Sequence, residues 1–382
     1  MAKIAFITDA VYPWHVGGVE ALEYKEMLAL SKKHEVYCFC LQFNGMKKRF
    51  VKDGIRYICV YGPVKSLYTK SGKRSVSLAM RFGSALLKEL GKYDFDLIYA
   101  NAFPYFHLSA TKRYCKKHET KLVLDVTEVW SLKEWKGYLG MVKGLLGYRY
   151  MKSALFGADL YVSVSSSTSN RLIALGIPEH RIRTFAPILN LDKISRYRSK
   201  KMRLPRVILA GRFIKEKGFD EWVNAVASAH SISDKINGLI IGDGPEYKRI
   251  SELINSKDLR FISITGSVKD QSILYRKIAN SAVLLQTSHR EGLSIIVLES
   301  LALGTPVILP DYTPIPKEVK RMCIVLPLKK IPETIVGIVS SPDKSQFLKN
   351  IDRLKDFDEK GILHFFDSVI VPAKKDRGRA GL

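Results

Sequence analysis

Short apolar runs recur through the first half of the chain at 3–8, 35–41, 56–60, 97–100, 122–126 and 160–164, separated by stretches with helical spacing. Runs that are apolar throughout, without strict alternation, are what a strand covered on both faces requires, so they predict a parallel sheet flanked by helices. The runs near 35–60 leave room for some antiparallel pairing. A helix is expected over 19–32. Residues 195–205 are basic, polar and without apolar periodicity, and read as an interdomain connection. Beyond them the rhythm restarts at 206–210, 239–241, 261–266, 283–286 and 307–309, the first four runs ending in Gly- or Ser-containing turns and the last in the proline-rich segment 311–316. Helices are expected over 295–303, 345–357 and 359–371, and a disordered tail over 374–382. The pattern is that of two doubly wound α/β domains, 1–194 and 206–350.

Composition narrows the picture in a few places. At 382 residues the chain suits two cores of ordinary size, and its 46% apolar and 26% charged content is that of a globular protein. The most apolar stretch is broken by Glu299, Gly304 and Pro306, so no membrane span is expected. The N-terminus starts directly as a strand, which predicts no cleaved leader. The five cysteines (38, 40, 59, 115 and 323) are scattered and fit reduced core positions in the cytoplasm. A net charge of +25 points to nucleic acid, an anionic membrane surface or polyanionic small molecules, and charge alone does not choose among them. Segment 70–90 carries Lys70, Lys73, Arg74, Arg81 and Lys88 beside a stripe of Leu78, Ala79, Phe82, Ala85 and Leu86. Such a helix either lies on a membrane surface or packs its stripe on the sheet with the basic side in water.

Candidate chemistry gathers at strand ends, where ligands of doubly wound sheets bind. The first strand runs into the loop 9–18, which holds Trp14 and His15 and ends in Gly17-Gly18 at a helix start. Two glycines there either let an anion approach free N–H groups or only make the turn. No G-x-G-x-x-G dinucleotide fingerprint occurs. Other strand ends in this half carry Asp9, Asn101, Thr127, Glu128 and Ser165. In the second half, Gly211-Arg212 ends a strand and Lys217-Gly218 follows, a fork of donors and a point charge suited to a diphosphate. Gly242-Asp243-Gly244-Pro245 ends the next strand. Segment 288–310 holds Glu291 and Glu299 eight positions apart around a helix start, with Ser294 as its expected N-cap and Gly304 as its stop. No metal-binding D-x-D pair stands out.

These residues resemble the family 4 retaining, nucleotide-sugar-dependent glycosyltransferases. The likeness rests on GG at 17–18, GR-x4-KG at 211–218, GDGP at 242–245, G-x-V at 266–268 and S-x-x-EG-x6-E at 288–299 running into LALGTPVI. It implies the GT-B fold, two Rossmann-like domains facing across a cleft. The first domain would bind acceptor, the second would bind donor, and the helix at about 358–372 would cross back to the first. Residue by residue, it implies that Glu299 holds the ribose hydroxyls, Glu291 faces the sugar, and Arg212 and Lys217 neutralise the diphosphate. Donor contacts would come from Gly17, Gly18, Gly211, Gly242, Gly244, Val268, Gly292, Leu293 and Ser294. Cations and helix N-termini would then replace a metal at the leaving diphosphate.

Two departures stand out. Many members carry a His followed by an acid after the strand that matches 122–126, whereas this chain has Thr127-Glu128. That role is missing or passes to His107, Asp125 or Glu128, with His15 and Asn101 also on the acceptor side. After 307–309, members commonly have a glycine pair, whereas this chain has 311–316 ahead of Glu318. The expected activity is a metal-independent, hexosyltransferase-type retaining transfer with no cofactor beyond a UDP- or GDP-sugar co-substrate. The acceptor is expected to be a saccharide of a cell-surface glycan, and the basic surface favours a lipid-linked one and a peripheral place on the inner face of the cell membrane. The alternatives are a nucleotide-sugar epimerase or hydrolase of the same fold, and a non-catalytic nucleotide-sugar-binding protein. Nucleic acid is not expected as a partner, since aromatic-basic clusters and known modules are lacking.

Overall fold

A computed structural model describes the chain except residues 16, 70–72, 186–188, 190, 199–203, 269, 292, 342–344, 349–353, 355–358 and 371–382. The apolar runs of the first half form β1 (Lys3–Ile7), β2 (Glu35–Phe43), β4 (Ile55–Val64), β5 (Leu97–Asn101), β6 (Lys121–Val126) and β7 (Leu160–Ser163). Two short strands escaped the sequence pattern, β3 (Arg49–Lys52) and β8 (Ile182–Thr184). The sheet order is β3-β4-β2-β1-β5-β6-β7-β8, parallel except for the β3–β4 hairpin, which is the antiparallel pairing expected near 35–60. Its turn is Asp53-Gly54, both at positive φ.

The second half forms β9 (Arg206–Ala210), β10 (Asn237–Ile241), β11 (Ile262–Thr265), β12 (Val283–Leu285), β13 (Val307–Pro310) and a further short strand, β14 (Ile324–Leu326). These pair in parallel in the order β11-β10-β9-β12-β13-β14. In each sheet the chain reverses direction beside its first strand, β1 or β9. Doubly wound sheets open a crevice at that point, above the carboxyl ends of the strands. The loops that follow β1, β9 and β12 are therefore the ones placed to meet a ligand.

Helix α1 (Gly18–Ser31) follows β1, and α2 (Val76–Leu90) is N-capped by Ser75, whose Oγ accepts from the Leu78 N–H at 3.3 Å. Ala79, Phe82 and Leu86 of α2 are buried, and a Cβ on Gly83 would lie 2.8 Å from the Phe106 carbonyl oxygen. The apolar stripe of 70–90 thus packs inward, which corrects the membrane-surface reading of that stripe: burying it against neighbouring elements removes it from water permanently. Lys70 lies outside the described residues. Next come α3 (Leu108–His118), α4 (Leu132–Leu139) and α5 (Met141–Leu155). The C-terminal helix Glu359–Val369 returns to the first sheet, where Phe366 lies 5.0 Å from Tyr99 and 6.0 Å from Phe6, ring to ring. Of the helix expected over 345–357, the described part is Ser345–Leu348, and the tail 374–382 lies outside the described residues. Cys38, Cys40, Cys59 and Cys115 are buried and Cys323 is half-buried, all as free thiols.

Under α1 the first core contains acids. Glu23 and Glu26 face inward from the helix toward Asp125 of β6 and Tyr99 of β5, and all four are buried. Asn101 Nδ2 donates to Glu23 Oε1 at 2.7 Å, while the second oxygens of Glu23, Glu26 and Asp125 and the Tyr99 hydroxyl find no hydrogen-bond partner among the described residues. Burial disfavours the charged form and the neighbouring carboxylates add repulsion, so Glu23 and Glu26 are pushed well above the usual carboxylate range. Burial pushes Asp125 up to about 7.

The folded state therefore keeps protons that the unfolded chain gives up above about pH 4. A raised carboxyl pKa means stability present at low pH and lost as pH rises from about 4 to about 7, with a slope of about 1.4 kcal/mol per pH unit for each such proton. Asp125→Asn should remove about one proton's worth of that slope. Urea unfolding free energies at several pH values measure it, and parallel curves for wild type and variant would refute the buried-acid account.

Candidate active site

The loops after β9 and β12 are locked to each other by backbone chemistry. Gly218, at φ +66, lies where a Cβ would come within 2.3 Å of the Thr287 carbonyl oxygen, so only glycine fits. The Thr287 hydroxyl donates to the Gly218 carbonyl at 2.8 Å. Behind the first loop, Gly242 is at φ +145, and a Cβ there would meet the Gly211 carbonyl oxygen at 1.9 Å. Gly244, at φ +151, is close to Phe213 as well, 2.7 Å from its carbonyl oxygen to where a Cβ would be, and the Phe213 N–H donates to the Asp243 carbonyl at 2.9 Å. Gly242 and Gly244 are thus placed as a buttress under the loop that carries Arg212. Gly211 itself faces the Lys217 side chain, 3.7 Å from where a Cβ would be.

This frame brings two cations onto two carboxylates. Lys217 Nζ donates to Glu291 Oε1 at 2.5 Å, and Gln286 Nε2 donates to the same oxygen at 2.8 Å. Arg212 reaches across to the first lobe, 3.7 Å from Glu20 Oε1 and over the Tyr68 ring at 5.1 Å. Glu20 also meets His15 Nδ1 at 3.1 Å. Burial alone would raise its pKa, but the adjoining His15 ring and the Arg212 charge outweigh burial and hold it at about 2. Gly17 lies in the same contact: a Cβ there would be 2.1 Å from Glu20 Oε2 and 3.0 Å from an Arg212 nitrogen. Gly18 opposes Ile295 of the second lobe, 3.1 Å from where its Cβ would be.

Ile295 opens the helix Ile295–Ala302, whose N-cap position is Ser294, as expected. Ser294 is buried and its side chain makes no cap bond, so the N-terminal N–H groups of that helix are not closed off by its hydroxyl. One turn in, Glu299 is buried, and the Tyr275 hydroxyl donates to its Oε1 at 3.0 Å. Burial raises the Glu299 pKa, opposed by the positive charge of Lys25 from α1 and by the Tyr275 bond. Leu293 and Val268 pack on the second lobe's core beside this helix. Gly292 lies outside the described residues.

On the first lobe the strand-end residues divide. Asp9 accepts two hydrogen bonds from Arg74, at 2.6 and 2.5 Å. Asn101 is buried on Glu23, and Ser165 caps the helix Ser166–Leu175. His107 is fully buried, its Nε2 2.7 Å from the Asn101 carbonyl oxygen, and burial lowers its pKa to about 4. With Asp125 also inside the core, His107 and Asp125 do not reach the cleft, which corrects two of the three substitutes considered for the missing histidine. Thr127 is half-buried, its carbonyl accepting from Thr168 Oγ1 at 3.4 Å. Glu128 remains at the seam, where it accepts from Trp130 Nε1 at 2.7 Å and meets Arg290 of the other lobe at 3.9 Å.

Sequence reasoning missed Arg290, whose guanidinium lies 4.0 Å from the Trp130 ring centre and 3.2 Å from Glu216. It missed Glu20 too. An acid in the first turn of a helix is ordinary compensation for the helix dipole, so its position gave no signal. A further bridge between the lobes joins Ser166 Oγ to Glu318 Oε1 at 2.8 Å.

Comparison with known proteins fits this geometry. Residues 16–193 match the family described as Glycosyltransferase Family 4, and residues 192–322 match glycosyl transferases group 1. Alpha-monoglucosyldiacylglycerol synthase of Acholeplasma laidlawii is 33% identical over 103 residues, which is 26% of this chain and 25% of that protein. Across the first curated relatives the match spans only a quarter to a third of their length. Sucrose-phosphate synthase of Thermosynechococcus elongatus superposes with a TM-score of 0.76 at 17% identity, covering 97% of this chain and 98% of that one. Anabaena HepE, solved in complex with UDP and glucose, superposes with a TM-score of 0.69 at 13% identity over 96% of this chain and all of its own. With both family matches laid end to end over two facing Rossmann-like sheets, the chain belongs to the family 4, group 1 glycosyltransferases and has the GT-B fold.

Proposed function

We propose that the chain is a retaining, metal-independent transferase that moves a sugar from a nucleoside diphosphate sugar to a saccharide acceptor carried on a lipid, in the assembly of a cell-surface glycan. One observation carries the reading. Arg212 and Lys217 leave one loop, Arg212 toward the glycine pair at the start of α1 and Lys217 toward the loop after β12, and each already rests on a carboxylate, Glu20 or Glu291. A diphosphate is a stronger competitor for such cations than a single carboxylate, because it offers more charge and more acceptor oxygens in the same space. The N-termini of α1 and of the helix Ile295–Ala302 add partial positive charge from both lobes.

In this reading Glu299 receives the ribose hydroxyls on the oxygen that Tyr275 does not occupy. Glu291, steadied by Lys217 and Gln286, accepts hydrogen bonds from the sugar. The bond between the anomeric carbon and the departing phosphate oxygen breaks as the acceptor oxygen bonds to the same face. The acceptor's proton passes to that phosphate oxygen, so configuration is retained without a covalent intermediate. Fixed cations and helix ends meet the charge that develops on the leaving group, and positioning supplies the rest. A uridine donor is supported by the fold neighbour with bound UDP and glucose, and a lipid-linked acceptor by the glycolipid synthase among the relatives. Glu128 and His15 are the first-lobe groups that we place nearest the acceptor.

Screening UDP-, GDP- and ADP-sugars by thermal shift should find one that raises the melting temperature, since a ligand of the native state stabilises it. Arg212→Ala and Lys217→Ala should each lower kcat by about a hundredfold or more, the scale for removing a preorganised charge at a leaving group. Glu299→Ala should act mainly on donor KM, by about tenfold, with a smaller effect on kcat. Turnover should continue in chelator, and product analysis should show the donor's anomeric configuration kept. A donor consumed without acceptor, or wild-type rates in both cation variants, would replace this reading by epimerisation or hydrolysis.

A further inference from the structure

Helix α5 has two unlike faces. Inward, Gly144 and Gly147 bring it against α4: a Cβ on Gly144 would lie 2.6 Å from the Trp135 carbonyl oxygen, and one on Gly147 would lie 2.6 Å from the Trp135 ring. Met151 and Leu155 complete that buried side. Outward, Val142, Leu145, Leu146, Arg149 and Tyr150 follow the i, i+3, i+4, i+7, i+8 spacing of a single helix face. Met141 is 68% exposed, Val142 73% and Leu146 60%, while at the far end of the face Tyr150 stacks on Phe106 at 4.8 Å and keeps its outer edge open, so Val142, Leu145 and Leu146 face solvent. Contiguous exposed apolar side chains of this kind mark a surface that meets something else.

The rim says what. Between residues 131 and 156 stand Lys133, Lys136, Lys143, Arg149 and Lys152 against one acid, Glu134. That acid is taken: Arg171 donates to it at 3.0 Å and the Ser131 N–H donates to it as well. A second copy would bring the same cations against these ones, whereas an anionic bilayer accepts the apolar face and neutralises the rim. The face also lies one helix layer from the cleft. Trp135 of α4 is 5.0 Å from Trp130, whose ring carries Arg290 of the opposite lobe.

We propose that the outer face of α5, built on Val142, Leu145, Leu146 and Tyr150 with Lys143 and Arg149 at its rim, docks on an anionic phospholipid bilayer and holds the interlobe cleft beside the head groups. The proposal deepens the lipid-linked reading given above and rests on it for the use of docking, while docking itself is measured without donor or acceptor.

Full-length protein is floated with vesicles of phosphatidylcholine alone and with about 30 mol% phosphatidylglycerol added. Binding is expected on the anionic vesicles, with little on the neutral ones. V142D/L146D should weaken it at least tenfold, and K143E/R149E should do the same with the thermal unfolding midpoint unchanged. The second pair keeps the test open should the first disturb folding. No binding by wild type, equal binding to both vesicle types, or wild-type binding by a folded variant pair overturns the proposal. A wild-type dimer that V142D/L146D converts to monomer assigns the face to a second copy and overturns it too. Vesicle binding as expected, with no nucleotide sugar turned over, leaves docking standing and removes the transfer reading instead.

Discussion

The structure depends on charge held across a seam between two lobes. Arg212 comes from the loop after the first strand of the second sheet, and Glu20 from the first turn of the helix after the first strand of the first sheet. Each sheet reverses its winding at that strand, so both residues stand where a doubly wound sheet opens a crevice. The contact brings the two crevices mouth to mouth. A cation that would be costly to desolvate alone is kept charged there by a carboxylate, and the carboxylate is kept ionised by the cation and by His15.

Glycines make that contact possible by removing side chains where backbones must touch. Gly218 lets the loop bearing Lys217 close on Thr287, and Gly242 lets the neighbouring turn press on Gly211 from behind. The result is a short, rigid support for two cations, and rigidity is what electrostatic stabilisation of a leaving group requires. Gly17 leaves room for the same contact on the other lobe, since a Cβ there would press on the Glu20 carboxylate where it meets Arg212.

The first lobe shows a different economy. Its acids do not all face the cleft: Asp9 is tied to Arg74, and Glu23 and Glu26 of α1 and Asp125 of β6 are turned into the core. Glu128 is kept at the seam beside Arg290 and Trp130, as Glu20 is beside Arg212. The aromatic chain from Trp130 through Trp135 to the glycine-packed α5 then links the cleft to an apolar outer surface with a basic rim.

Much was legible before any coordinates. Apolar runs without alternation gave both parallel sheets, because a strand covered on two faces leaves a strong local mark. The glycine-bearing turns were visible too: Gly218, Gly242 and Gly244 hold backbone that favours glycine, and at 17–18 the missing side chains leave room for Glu20 and Ile295. The short strands β3, β8 and β14 left no mark, since three or four residues carry no period. Which residues share the seam was likewise not local information. Arg290 and Trp130 lie 160 positions apart in the chain and 4.0 Å apart in space. Nothing in the sequence distinguishes the core stripe of α2 from the exposed one of α5, because periodicity names a face and only packing decides what covers it. The sequence by itself determined two Rossmann-like lobes and drew attention to Arg212, Lys217, Glu291 and the glycines around them. The tertiary structure decided which acids met which cations, for Coulomb energy depends on distance through space and burial, and the chain order records neither.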